Sequence, residues 1–147
     1  MRSISGRLLR IGVAALLVGP GVGACATDSA GATGYHLVVR QGDGHVLGDF
    51  DLARLRELPQ IEIETPQSRG NQVQRGPELR SVLTAAGAGD VSAVRVEGSD
   101  PAQTLTAVEL ADRVVLSFTK RDTVKLAGAE LARDRWVRDV SAVVVNP

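Results

Sequence analysis

Cysteine and histidine are nearly absent: the 147 residues hold one Cys, Cys25, and two His. A disulfide within the chain is therefore excluded, and a zinc site built from Cys and His lacks its ligands. Aromatic side chains are as scarce, since one Trp, one Tyr and two Phe leave few platforms on which bases or sugars could stack. Charge of one sign is not in excess either, because 17 Lys and Arg face 17 Asp and Glu, and no strongly basic surface for nucleic acid is implied. Long apolar runs are missing as well. The most apolar stretch, residues 11–18, falls short of the roughly 20 residues that a membrane span needs.

What is present begins with an uneven charge distribution. Arg2, Arg7 and Arg10 lie in a segment without acid, and no charged residue occurs from Ile11 to Thr27. A basic start followed by a short apolar stretch is the pattern of an export signal, and the unpaired arginines do not indicate a twin-arginine route. Val22-Gly23-Ala24-Cys25 then resembles a bacterial lipobox, in which tiny residues admit the processing peptidase and the thiol receives a diacylglycerol. The alternative is an incidental thiol in an ordinary signal peptide. The expectation is a lipoprotein signal peptide over residues 1–24, with Cys25 lipidated by palmitate-like chains. The protein would then be held on the outer face of the bacterial cell membrane. Without residues 1–24 the chain keeps 14 basic and 17 acidic groups, a net charge of −3. Residues 25–34 are small or polar and read as a flexible tether, which leaves residues 35–147 for the folded body.

Within that body, Tyr35–Arg40 and His45–Phe50 read as strands joined by a Gly-rich turn. Asp51 caps a short helix carrying Leu52, Leu55 and Leu58, which Pro59 stops. Gln60–Thr65 alternates strictly, as a strand with one wet face does. A polar loop, Pro66–Gly76, follows. Pro77 then suits the first turn of a helix whose Leu79, Val82, Leu83 and Ala86 share a face and whose stop is Gly87. Further strands are expected at Val91–Glu97, Gln103–Thr106, Arg113–Thr119, around Thr123–Leu126 and over Trp136–Val145, with a helical turn at Ala107–Asp112. The pattern is strand-rich with short helices and lacks a βαβ rhythm. It implies a single α+β domain with a mixed or antiparallel sheet and a core of modest size.

Phe50-Asp51-Leu52 opening a Leu-spaced helix, then Gly76-Pro77-Glu78-Leu79-Arg80-Ser81-Val82-Leu83-Thr84-Ala85-Ala86-Gly87, resembles the oxidoreductase molybdopterin-binding domain of the sulfite-oxidase fold. Leu105–Leu110 and Arg135–Val140 resemble later stretches of that family, so the likeness runs over most of Phe50 to Val145. It implies a molybdopterin cofactor loop over residues 66–76, where Arg69, Asn71 and Arg75 would bind an anion or the pterin. The resemblance also implies a Cys thiolate on molybdenum, and here the chain departs: Gln60–Thr65 and the following loop contain no Cys. A soft metal site without a thiolate is hard to build. The expectation is a binding or interaction module for a small anionic ligand or an envelope protein, with no metal, and an active molybdopterin-dependent oxidoreductase is the alternative.

Other constellations have plainer readings. His36, Asp43, His45, Asp49 and Asp51 fit neither an EF-hand nor a zinc spacing and read as a turn and a helix cap. No Gly-x-Ser-x-Gly elbow is present. Arg133, Asp134, Arg135, Arg138 and Asp139 alternate in sign around Trp136, which reads either as a partner or anion contact or as a core Trp beside a salt-bridged edge.

Overall fold

Nine strands and three short helices make up residues 34–147, the part that the computed structural model describes. The expected signal peptide, Cys25 and all of the tether but Gly34 lie outside the described residues. The strands are β1 (His36–Gln41), β2 (Val46–Asp51), β3 (Gln60–Glu64), β4 (Val73–Pro77), β5 (Ala93–Glu97), β6 (Gln103–Thr106), β7 (Val114–Phe118), β8 (Val124–Gly128) and β9 (Ala142–Val145). The helices are α1 (Leu52–Glu57), α2 (Leu79–Ala85) and α3 (Ala107–Ala111). This is the α+β architecture expected from the sequence.

One mixed sheet of order β2-β1-β9-β5-β6 carries the core. β9 runs parallel to β1 and antiparallel to β5, so the last strand occupies the centre. All four of its residues are buried, as befits a strand covered on both faces. Alternate residues of the neighbours, Leu37, Val39, Val94, Val96 and Leu105, are removed from solvent, and they meet Leu55 of α1, Leu79, Val82 and Leu83 of α2 and Leu110 of α3. Each such burial contributes about 1.5–3 kcal/mol before the cost of ordering.

Two hairpins, β3-β4 and β7-β8, build a second layer. The period of two divides β7 and β8 between two cores. Val114, Leu116, Val124 and Leu126 join the main one, while Val115 and Ala127 meet Ile63 in a smaller cluster flanked by Ile61 and Trp136. β4 lies directly against β7, and Gly76 makes this approach feasible, because a Cβ there would stand 1.9 Å from the carbonyl oxygen of Leu116.

Two expectations are corrected. The loop is shorter than Pro66–Gly76, since Val73–Pro77 pairs with β3 in full register, from Glu64 opposite Val73 to Gln60 opposite Pro77. Pro77 therefore ends a strand, where a missing N–H is tolerated, and α2 begins at Leu79 behind Glu78. The closing strand is also shorter, covering Ala142–Val145 only. Before it, Arg133–Arg135 forms a 3-10 turn, and Asp139 adopts a left-handed conformation (φ 47°), which breaks any extended run from Trp136. The Asp139 carboxylate holds that bend by accepting from Ser99, Arg121 and Thr123.

Candidate functional site: a cationic cleft beside the 66–72 loop

The loop between β3 and β4 is fixed by its own polar groups. At its base the buried Thr65 donates through its backbone N–H and its hydroxyl to the carbonyl of Gln72, at 2.6 and 3.1 Å. Ser68 N–H donates to the carbonyl of Thr65, and the Asn71 side chain accepts from Val73 N–H, as an Asx turn does. Gln67 ties the loop to the body: its Nε2 lies 3.0, 3.3 and 3.1 Å from the carbonyl oxygens of Gly128, Ala129 and Leu131.

The facing wall is the 133–138 segment. Trp136 is half-buried, packs against both cores and donates Nε1–H to the Leu131 carbonyl at 3.1 Å. Arg135 is spent on Glu109 and the Thr104 carbonyl. Arg138 closes a fork on Asp100, with Nη2 at 2.7 Å and Nε at 3.0 Å, and its backbone N–H donates to the same carboxylate at 2.8 Å. These bonds hold the Asp100 carboxyl below the usual aspartate range.

Loop and segment converge on one open cleft of about 770 Å³, lined among others by Arg69, Asn71, Lys125, Arg133, Trp136 and Arg138. Arg69 and Arg133 are exposed there, and among the described residues neither forms an ion pair or a side-chain hydrogen bond. Arg75 belongs elsewhere. It lies on β4 opposite Glu62, with 3.8 Å between the charged groups, and faces a second cleft of about 790 Å³ between β3-β4 and the β7-β8 turn. The structure thus brings Arg69 and Asn71 together with Arg133 and puts Arg75 across the loop from them. Asn71 and Lys125 border both clefts. Together the clefts expose seven cations (Arg56, Arg69, Arg75, Lys120, Lys125, Arg133, Arg138) against three carboxylates (Glu62, Asp100, Asp134). On a body with more acids than bases, this segregates charge strongly and focuses positive potential over one face.

Sequence reasoning did not single out Gln67 or Lys125. Gln67 carries no distinguishing signal, and Lys125 looks like any polar residue of a strand; only its alternation with Val124 and Leu126 marked the face it takes.

The fold is similar to that of the sulfane dehydrogenase SoxCD from Paracoccus pantotrophus. The TM-score is 0.60 and the identity 16%, over 76% of this chain and 38% of that one. This is a distant relationship of fold. No protein-family model and no curated protein matches the chain.

The donor set of the cleft decides what could be held in it. Guanidinium and amide groups fit phosphate or carboxylate oxygens through forked, charge-assisted bonds. They do not fit a soft metal. The sole Cys lies outside the described residues, and among those residues no three His, Cys, Asp or Glu side chains gather as a metal site would require.

Proposed function

We propose that this chain is an exported, lipid-anchored envelope protein whose molybdopterin-binding-like domain, lacking the Cys metal ligand, serves as a binding module for a small anion. The observation that carries the reading is the convergence of Arg69 and Asn71 with Arg133 on one cleft, where both guanidinium groups are free of carboxylate partners among the described residues. Lipidation at Cys25 rests on the Val22–Cys25 pattern and export on the basic and apolar residues before it. Titration of the protein with inorganic phosphate, followed by the fluorescence of its single Trp, tests the module. Binding should weaken about tenfold or more in the Arg69→Ala, Arg133→Ala double variant, since each charge-assisted bond contributes about 1.5–3 kcal/mol. Equal affinity in both proteins refutes the assignment. Cys25→Ser should abolish labelling by radioactive palmitate, and unchanged labelling refutes the anchor.

The fold shared with a dehydrogenase favours a second reading, an active molybdopterin-dependent oxidoreductase of the envelope. The cleft suits the phosphate-bearing end of a molybdopterin and offers nothing soft for its metal, so that reading is the weaker one. Near-stoichiometric molybdenum in the purified protein would reverse the order.

A further inference from the structure

The chain contains two lysines, at positions 120 and 125, and they are placed very differently. Lys120 is exposed in the β7-β8 turn. Lys125 is half-buried within β8, paired in register with the buried Ser117 and flanked by Val124 and Leu126, which point into the main core. Alternation therefore turns its side chain to the cleft face. It forms part of the wall of both clefts, and its Nζ lies 5.5 Å from the centroid of the Trp136 ring. Among the described residues no carboxylate pairs with it: Asp100 is engaged by Arg138 and Glu62 faces Arg75. Burial, then the charge of Arg133, hold its ammonium group below the ordinary lysine range. A lysine partly desolvated beside a second cation is the arrangement that makes an amine nucleophilic.

We propose that Lys125 is a carbonyl-reactive amine and that the cleft takes a small anionic aldehyde or α-keto acid, its anionic group held by Arg69 and Arg133. This rests on the anion-binding reading above and names the ligand class of the same site. In the step, the lone pair of neutral Nζ adds to the carbonyl carbon and the π electrons of the C=O bond move to oxygen. Proton transfer from nitrogen to oxygen gives a carbinolamine, and departure of that oxygen as water leaves a C=N bond. No oxidant or reductant is consumed. The imine returns to amine and carbonyl compound on hydrolysis.

The two lysines supply an internal reference for the test. The full chain is incubated with pyridoxal 5′-phosphate as the anionic aldehyde probe, reduced with borohydride and mapped by peptide mass spectrometry. Adduct at Lys125 should exceed that at Lys120, and inorganic phosphate should suppress the Lys125 adduct by competition while leaving that at Lys120. In Lys125→Arg the imine absorbance should fall to the level that the remaining amines support. Equal labelling of both lysines, or preference for Lys120, overturns the proposal. Phosphate binding without any Lys125 adduct overturns this inference alone, whereas absence of phosphate binding removes the anion-binding reading with it.

Discussion

Gln67 and Trp136 donate to a single acceptor, the carbonyl oxygen of Leu131, each at 3.1 Å. One backbone oxygen therefore joins the β3-β4 loop to the segment that forms the other wall of the cleft, and the two walls hold their spacing through it. Gln67→Ala should lower stability by about 1 kcal/mol, the net worth of a hydrogen bond of this kind. Backbone amides of the loop should exchange faster, and phosphate binding should weaken although no charge is removed. Hydrogen exchange with mass spectrometry on the 66–72 peptide checks the first effect, and an unchanged exchange rate there refutes the clamp.

Arg69 and Arg75 are six positions apart in the chain but face different clefts, and Arg75 already stands opposite Glu62. Arg69→Ala should weaken phosphate binding several-fold at low salt and less at high salt, because screening shortens the reach of an exposed charge. Arg75→Ala should leave the affinity within about twofold under the same conditions, as expected for loss of an exposed pair. Titrations of both variants at two ionic strengths separate these outcomes.

Packing of β4 on β7 depends on a position without a side chain. Gly76→Ala would drive a methyl group into the Leu116 carbonyl, and its three nearest neighbours are all backbone atoms of Leu116 and Ser117 rather than a flexible side chain that could yield. A loss of about 3 kcal/mol or more is expected, at or beyond the upper end of overpacking costs. Gly89→Ala is the control, since nothing lies within 4 Å of the added carbon. Thermal unfolding of the two variants should differ by many degrees.

Among the described residues three carboxyls titrate below their usual range: Asp100 through Arg138, Glu109 through Arg135, and Asp139 chiefly through Thr123. Their ionised forms are favoured by folding. The stability they contribute is complete above their unfolded pKa values of about 4 and is lost as pH falls through the lower folded values. The unfolding temperature should stay level from about pH 7 to pH 5 and fall below pH 4. Asp139→Asn should lower it at neutral pH and flatten the acid limb, and calorimetry across this range shows whether it does.

Local signals read correctly from the sequence are those in which one side chain decides the geometry. Asp51 accepts from Arg54 N–H at 2.7 Å as a helix cap, and Gly87 takes the left-handed conformation (φ 74°) after α2. Alternation in residues 60–64 likewise follows from pleat and burial. Thr106 and Glu109 form a capping box whose spacing was there to be read. β4 escaped because its centre is polar: Gln74 is buried yet contributes no apolar signal, and it is satisfied by Ser117 and the Asn71 carbonyl, partners fixed only by the fold. The break at Asp139 escaped for a similar reason, since two of the groups that hold its bend, Ser99 and Arg121, are distant in sequence or lie across a hairpin. As to the cleft, residue chemistry pointed to Arg69 and Asn71 as candidates. Their meeting with Arg133 is tertiary, and no spacing along the chain announces it.

The parallel pairing of β9 with β1 sets the order in which this protein can be completed. Residues 142–145 fill the slot between β1 and β5, so a nascent chain that has not yet released them keeps two half-sheets with bare facing edges. Cooperative closure of the sheet therefore waits until that strand is in place, and the main core is incomplete before it.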